Sequence, residues 1–100
     1  MIEIRLADEY FPLVASGNKT STARFGDRDF PIGRALLRGR NAQLQVTITN
    51  LRKRHFAELD QNDARRDGFE SVEEMQAALR KFYPGISADD VLTIVEFTTR

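Results

Sequence analysis

The 100-residue chain has no cysteine and no tryptophan, a single histidine and only three prolines. Without cysteine, neither a disulfide framework nor a thiolate metal site is available. His55 alone cannot supply the paired imidazoles of a zinc-binding helix, and no tight Asp/Glu/His cluster in the sequence replaces them. Metal-free chemistry, or none, is what the sequence leaves, and no cofactor is expected. No apolar run approaches the roughly 18 residues that span a bilayer, and the acidic opening MIEIRLADEY lacks the basic end and apolar stretch of a secretory leader. These absences predict a cytoplasmic protein with no membrane partner. A chain of this length is expected to form one domain over residues 1–100. Its oligomeric state is not written in the sequence.

Net charge is also lacking, but the balance is uneven along the chain. Residues 1–56 carry ten Lys/Arg against five Asp/Glu, and residues 57–100 carry five against ten. If the fold keeps the halves apart, Arg24, Arg28, Arg34, Arg38, Arg40 and the run Arg52, Lys53, Arg54 make a face that attracts phosphate. If the halves interleave, they neutralise one another.

What is present reads as an α+β pattern. IEIRL alternates with a period of two and predicts a first, half-buried strand. Asp8 is placed to cap a short helix through EYFPLVAS, which tolerates Pro12 in its first turn and stops at Gly17. TSTARF has strand composition, GDRDFPIG is turn-rich, and AQLQVTITNLRKRHF is the clearest strand, long enough to bulge near Asn50. FAELDQNDARRDGF reads as short helical turns ending at Gly68. SVEEMQAALRKFY opens on a capping box, Ser71 with Glu74, and carries Val72, Met75, Leu79 and Phe82 as a core stripe. DVLTIVEF is apolar on both faces and belongs inside a sheet. The sum is a small mixed barrel or strongly curled sheet of five to six strands with two to three helices.

The stretch SGNKTSTAR, residues 16–24, concentrates a lysine, three hydroxyls and an arginine after a helix-ending glycine. On composition it is a solvated connection. It is also a place where Lys19 and Thr22 could meet, but only if residues 18–21 leave regular strand geometry, since positions three apart in a strand face opposite ways. Gly17 and the turn-prone Asn18 give a reason for such a break. His55 at a strand end has no triad partner in view and is read as structural or exposed.

In GxKxxxxR order, Gly17, Lys19 and Arg24 resemble the signature of the ASCH domain, a small barrel related to the PUA RNA-binding fold. The segment HFAELDQNDARRDGFESVEEMQAALRKFYPG and the closing VLTIVEF are similar to that family in order and spacing. KTSTAR is most similar to the loop of the small bacterial amidohydrolases that remove the acetyl group from N(4)-acetylcytidine. The resemblance implies Lys19 and Thr22 as catalytic residues, Arg24 and Gly17 as substrate-binding residues, and a nucleoside as substrate. Where those enzymes carry a catalytic glutamate the nearest acid here is Asp67, one methylene shorter. The resemblance leaves two alternatives: a non-catalytic module that binds RNA through its basic face and, behind it, a ribonuclease, for which the sequence offers no histidine pair.

Overall fold

A computed structural model describes residues 1–99. Five strands form one sheet in the order β1-β3-β4-β5-β2: β1 Ile2–Arg5, β2 Ser21–Phe25, β3 Gly33–Arg38, β4 Gln43–His55 and β5 Val91–Thr98. β1 runs parallel to β3 and every other pairing is antiparallel. The helices are α1 Phe11–Ser16, α2 Gln61–Arg66 and α3 Val72–Phe82, with single 3-10 turns at Asp8–Tyr10 and Phe56–Glu58. This is the expected α+β architecture, a curled half-barrel whose edge strands are β1 and β2.

The curl comes from the length of β4 and its irregularity. Val46 and Ile48 are buried while Gln45 and Thr49 are exposed, so the period-two pattern holds up to Ile48. The register on β5 then shifts between Ile48 and Asn50. A residue inserted into one strand bends it and increases its twist, so β4 pairs with β3 before the bulge and only with β5 beyond it. β5 is apolar on both faces because it serves two cores. Val95 and Phe97 pack with Ile4, Leu37, Ile48 and α1, whereas Leu92 and Ile94 pack with Phe56, Met75 and Leu79 beneath α2 and α3. No helix among the described residues is long and apolar enough to cross a membrane.

Three local expectations are corrected. Asp8 does not cap a helix: its carboxylate accepts from the backbone N–H of Asn41, at 3.0 Å to one oxygen, and so ties the first helical turn to the β3–β4 connection. Ser71 accepts from the Glu74 N–H at 3.1 Å, but no return bond from the Glu74 side chain completes the box. Phe82 is 51% exposed. It lies at the last turn of α3, where the helix has run past the core, and it tilts against Tyr10 with ring centroids 6.4 Å apart.

Candidate active site

Because β1 and β2 are unpaired edges, a gap runs between them, and it is occupied by a cavity of about 540 Å³. Ile4, Arg5 and Leu6 line one side, Thr22, Ala23 and Arg24 the other, and α3 closes it with Met75, Ala78, Leu79 and Phe82. The stripe read as pure core thus also forms a cavity wall.

Lys19 reaches the cavity because the chain breaks where the sequence allows it. Gly17 takes φ 85° as the left-handed C-cap of α1, and the Lys19 N–H donates to Leu13 O at 3.0 Å. Lys19 therefore precedes β2 and escapes strand alternation, while Thr22 sits within it. Both side chains line the same cavity. Gly17 itself is exposed and does not line it; its contribution is the turn that delivers Lys19.

Asp67 arrives from the other half of the sequence. It is the C-cap of α2, followed by Gly68 at φ 93°. A Cβ on Gly68 would lie 3.3 Å from both Lys19 Cβ and Leu13 Cδ1, so glycine lets the two segments close together. The Asp-Gly turn and the site are one feature. Lys19 Nζ donates to Asp67 Oδ1 in a short ion pair and to Asp67 O at 2.9 Å. Asp67 Oδ2 is buried and has no hydrogen-bond partner among the described residues.

The electrostatics follow from burial. Lys19 is only 2% exposed, and loss of hydration pushes its pKa below the usual lysine range, against the opposing pull of the Asp67 carboxylate and with help from Arg24. Burial pushes Asp67 upward, opposed by Lys19 and Arg24. Both directions favour the neutral forms. Two rings flank the amine, Tyr10 at 5.2 Å and Phe69 at 6.0 Å from Nζ to centroid, and they act the other way, favouring a cation over their faces. The Tyr10 phenol is raised, first by burial and then by Glu9, Asp67 and Glu74, so it remains a hydroxyl donor.

Arg24 bridges the gap. Its guanidinium donates to Arg5 O on β1 and, at 2.7 Å and 2.9 Å, to Thr22 Oγ1 and Ala23 O on β2. The Thr22 hydroxyl accepts from a cation, which leaves its own proton free to be given away. Tyr10 and Phe69 were not singled out from the sequence. Phe69 lies in the Asp-Gly-Phe turn and was legible there, whereas Tyr10 carries no sequence signal beyond a helix start. His55 is exposed, with Nδ1 3.0 Å from Asp89 O. Among the described residues no group of three or more His, Cys, Asp or Glu side chains is placed to hold a metal ion.

The basic run does not form a free face. Arg52 pairs with Asp63 at 2.9 Å and Glu96 at 2.7 Å, Lys53 with Asp27 at 2.9 Å, and Arg54 with Asp63 at 3.2 Å. Through Arg52 and Arg54 the basic and acidic halves of the chain interleave.

No family model matches the sequence, and no curated protein matches it. Solved structures do match. The ASCH domain from Lactobacillus crispatus JV V101 superimposes with a TM-score of 0.77 at 20% identity, covering 97% of this chain and 79% of that one. Protein EF3133 from Enterococcus faecalis V583, assigned to DUF984, gives 0.77 at 13% identity, with coverage of 100% and 76%. A mutant form of the ZmASCH protein from Zymomonas mobilis gives 0.68 at 17%, with coverage of 96% and 67%. The chain has the ASCH, PUA-like fold.

Proposed function

We propose that the cavity hydrolyses the exocyclic amide of an N(4)-acylated cytosine, with N(4)-acetylcytidine as the substrate to which the KTSTAR loop points. The observation that carries this reading is a buried amine–carboxylate pair with one carboxylate oxygen unpartnered, lining the same cavity as a hydroxyl held by a guanidinium. A buried carboxylate oxygen favours a hydrogen-bond donor, and the substrate's amide N–H, or the departing amine, fits that role at Asp67 Oδ2.

Amide hydrolysis needs a nucleophile, a base and a group that stabilises the oxyanion. In this assignment Thr22 Oγ1 attacks the acyl carbon while its proton passes to the neutral Lys19 amine. Arg24, already against Thr22, stabilises the developing alkoxide and tetrahedral oxyanion. The C–N bond breaks as the Lys19 ammonium returns the proton to the exocyclic nitrogen, which leaves as the amine. Water, deprotonated by Lys19, then attacks the threonyl ester; acetate leaves and Thr22 Oγ1 regains a proton. Asp67 orients Lys19 through Oδ1 and holds the substrate nitrogen through Oδ2.

A second reading, a non-catalytic RNA-binding module, is favoured by two exposed rings, Phe82 on the cavity lining and Phe25 against the lining Tyr83. The bound basic run, Arg52 to Arg54, weighs against it. The test is incubation with N(4)-acetylcytidine and chromatographic detection of cytidine across pH. Release is expected, with a rate that rises as Lys19 loses its proton. Asp67→Asn removes the carboxylate that opposes burial, so any residual activity should show that rise at lower pH. Absence of cytidine release together with tight binding of a single-stranded RNA would replace this reading with the second.

A further inference from the structure

The carboxylates on the cavity wall are already engaged. Glu3 faces Arg38 at 3.7 Å, Asp8 accepts from Asn41, and Asp67 holds Lys19. Four arginines line the same cavity, and Arg24 is used across the gap. The side chains of Arg5, Arg28 and Arg40 have no carboxylate partner among the described residues. This is the reverse of the run Arg52 to Arg54, where each cation has an acid.

The backbones that carry these three arginines are fixed. Arg5 ends β1 in register with Arg38 of β3. The Arg28 N–H donates to the buried Thr93 Oγ1 at 2.8 Å, and its guanidinium lies over Phe30, 4.8 Å from the ring centroid. Arg40 sits in a tight turn closed by Gly39 N–H to Ala42 O at 2.7 Å and by the Asp8–Asn41 contact. Three exposed arginines thus line one cavity, without acids and on held backbone, and phosphate is the anion that several guanidinium forks match.

We propose that Arg5, Arg28 and Arg40 take the phosphate of a nucleoside monophosphate, so that the base enters the cavity as a nucleotide and not as a free nucleoside. A longer strand would need cations continuing beyond the mouth, and the basic run that could supply them is bound to Asp27, Asp60, Asp63 and Glu96. For the identity of the base the inference rests on the acyl-cytosine reading; for the anion it rests on the arginines alone.

The test is calorimetric binding of cytidine, cytidine 5′-monophosphate, inorganic phosphate and a cytidine hexanucleotide to the folded chain at low and high salt. The monophosphate is expected to bind about tenfold or more tightly than cytidine, with the advantage shrinking as salt screens it. The Arg5→Gln/Arg28→Gln/Arg40→Gln protein should lose that advantage, and Arg34→Gln, an exposed arginine off the cavity, should keep it. If the triple variant does not fold, Arg28→Gln and Arg40→Gln singly should each cost about threefold. Equal binding of cytidine and its monophosphate, an advantage that survives the arginine substitutions, or phosphate alone binding as tightly as the nucleotide would overturn the proposal. So would tighter binding of the hexanucleotide, which would point to an extended strand. Turnover of N(4)-acetylcytidine and its 5′-monophosphate separates this inference from the one beneath it. Hydrolysis of both at equal kcat/KM defeats the subsite alone. A phosphate advantage in binding with no hydrolysis of either supports the subsite and defeats the hydrolase.

Discussion

Asp63 and Asp67 lie four residues apart on one short helix and its cap, both buried, yet they are treated in opposite ways. Asp63 uses both oxygens: Oδ1 accepts from Arg52 at 2.9 Å, and Oδ2 from Arg54 Nε at 3.2 Å and the Asp60 N–H at 3.1 Å. Its cations are about a third exposed or less and share further acids. Asp67 has one cation, a lysine with almost no contact with water, and leaves an oxygen unpartnered. A satisfied cluster fastens α2 to β4. The Lys19–Asp67 pair on the cavity wall leaves one buried carboxylate oxygen outside the ion pair, and the pKa directions of Lys19 and Asp67 express that difference.

Breaking the pair should have the largest effect on stability. Lys19→Met leaves Asp67 buried without its cation, which costs about 3–5 kcal/mol. The Asp67 pKa, already raised by burial, then rises further because a group that lowered it is gone. With the folded value above the unfolded one, protonation favours the folded state, so the loss is full above the folded pKa and is relieved as pH falls through it. Denaturant unfolding at several pH values reads this, and Lys19→Met/Asp67→Asn should recover most of the loss at neutral pH. A flat pH response of the single variant would mean that Asp67 finds another partner.

Closing the same site from its backbone comes next. Gly68→Ala places a side chain at φ 93° and 3.3 Å from Lys19 Cβ, and is expected to cost about 1–3 kcal/mol in thermal or denaturant unfolding. The smallest effect falls on the satisfied cluster. Arg54→Gln leaves Asp63 with Arg52 and should cost about 1 kcal/mol, less at high salt, because Arg54 is partly exposed. If Arg54→Gln matched Lys19→Met, the distinction between the two clusters would disappear.

Much of this was legible in residue order. Period two in β4, its bulge, both apolar faces of β5 and the glycine stop after α1 are local signals, and they give the sheet without its pairing order. That Lys19 and Thr22 share a cavity was legible only as a condition, that residues 18–21 leave strand geometry; the chain does so up to residue 20, where the Lys19 N–H donates to Leu13 O and β2 begins only at Ser21. The rest depends on tertiary arrangement. No local pattern shows that β1 and β2 are the open edges, that Asp67 meets Lys19 across 48 residues, or that Asp8 turns to Asn41 instead of its own helix. Phe82 had the spacing of a core residue, but spacing does not tell where the supporting sheet ends.

The central claim is that the cavity performs chemistry with Lys19, Thr22 and Asp67 while the neighbouring ion-pair cluster supports structure. The most direct measurement is the rate of cytidine release from N(4)-acetylcytidine by the unaltered protein, Thr22→Val and Arg54→Gln, each at matched folded fraction. Thr22→Val, which keeps the shape and removes the hydroxyl, should lose at least about a hundredfold in kcat, with Arg54→Gln staying within a few-fold of the unaltered rate. Cytidine release by Thr22→Val at the unaltered rate would contradict the account.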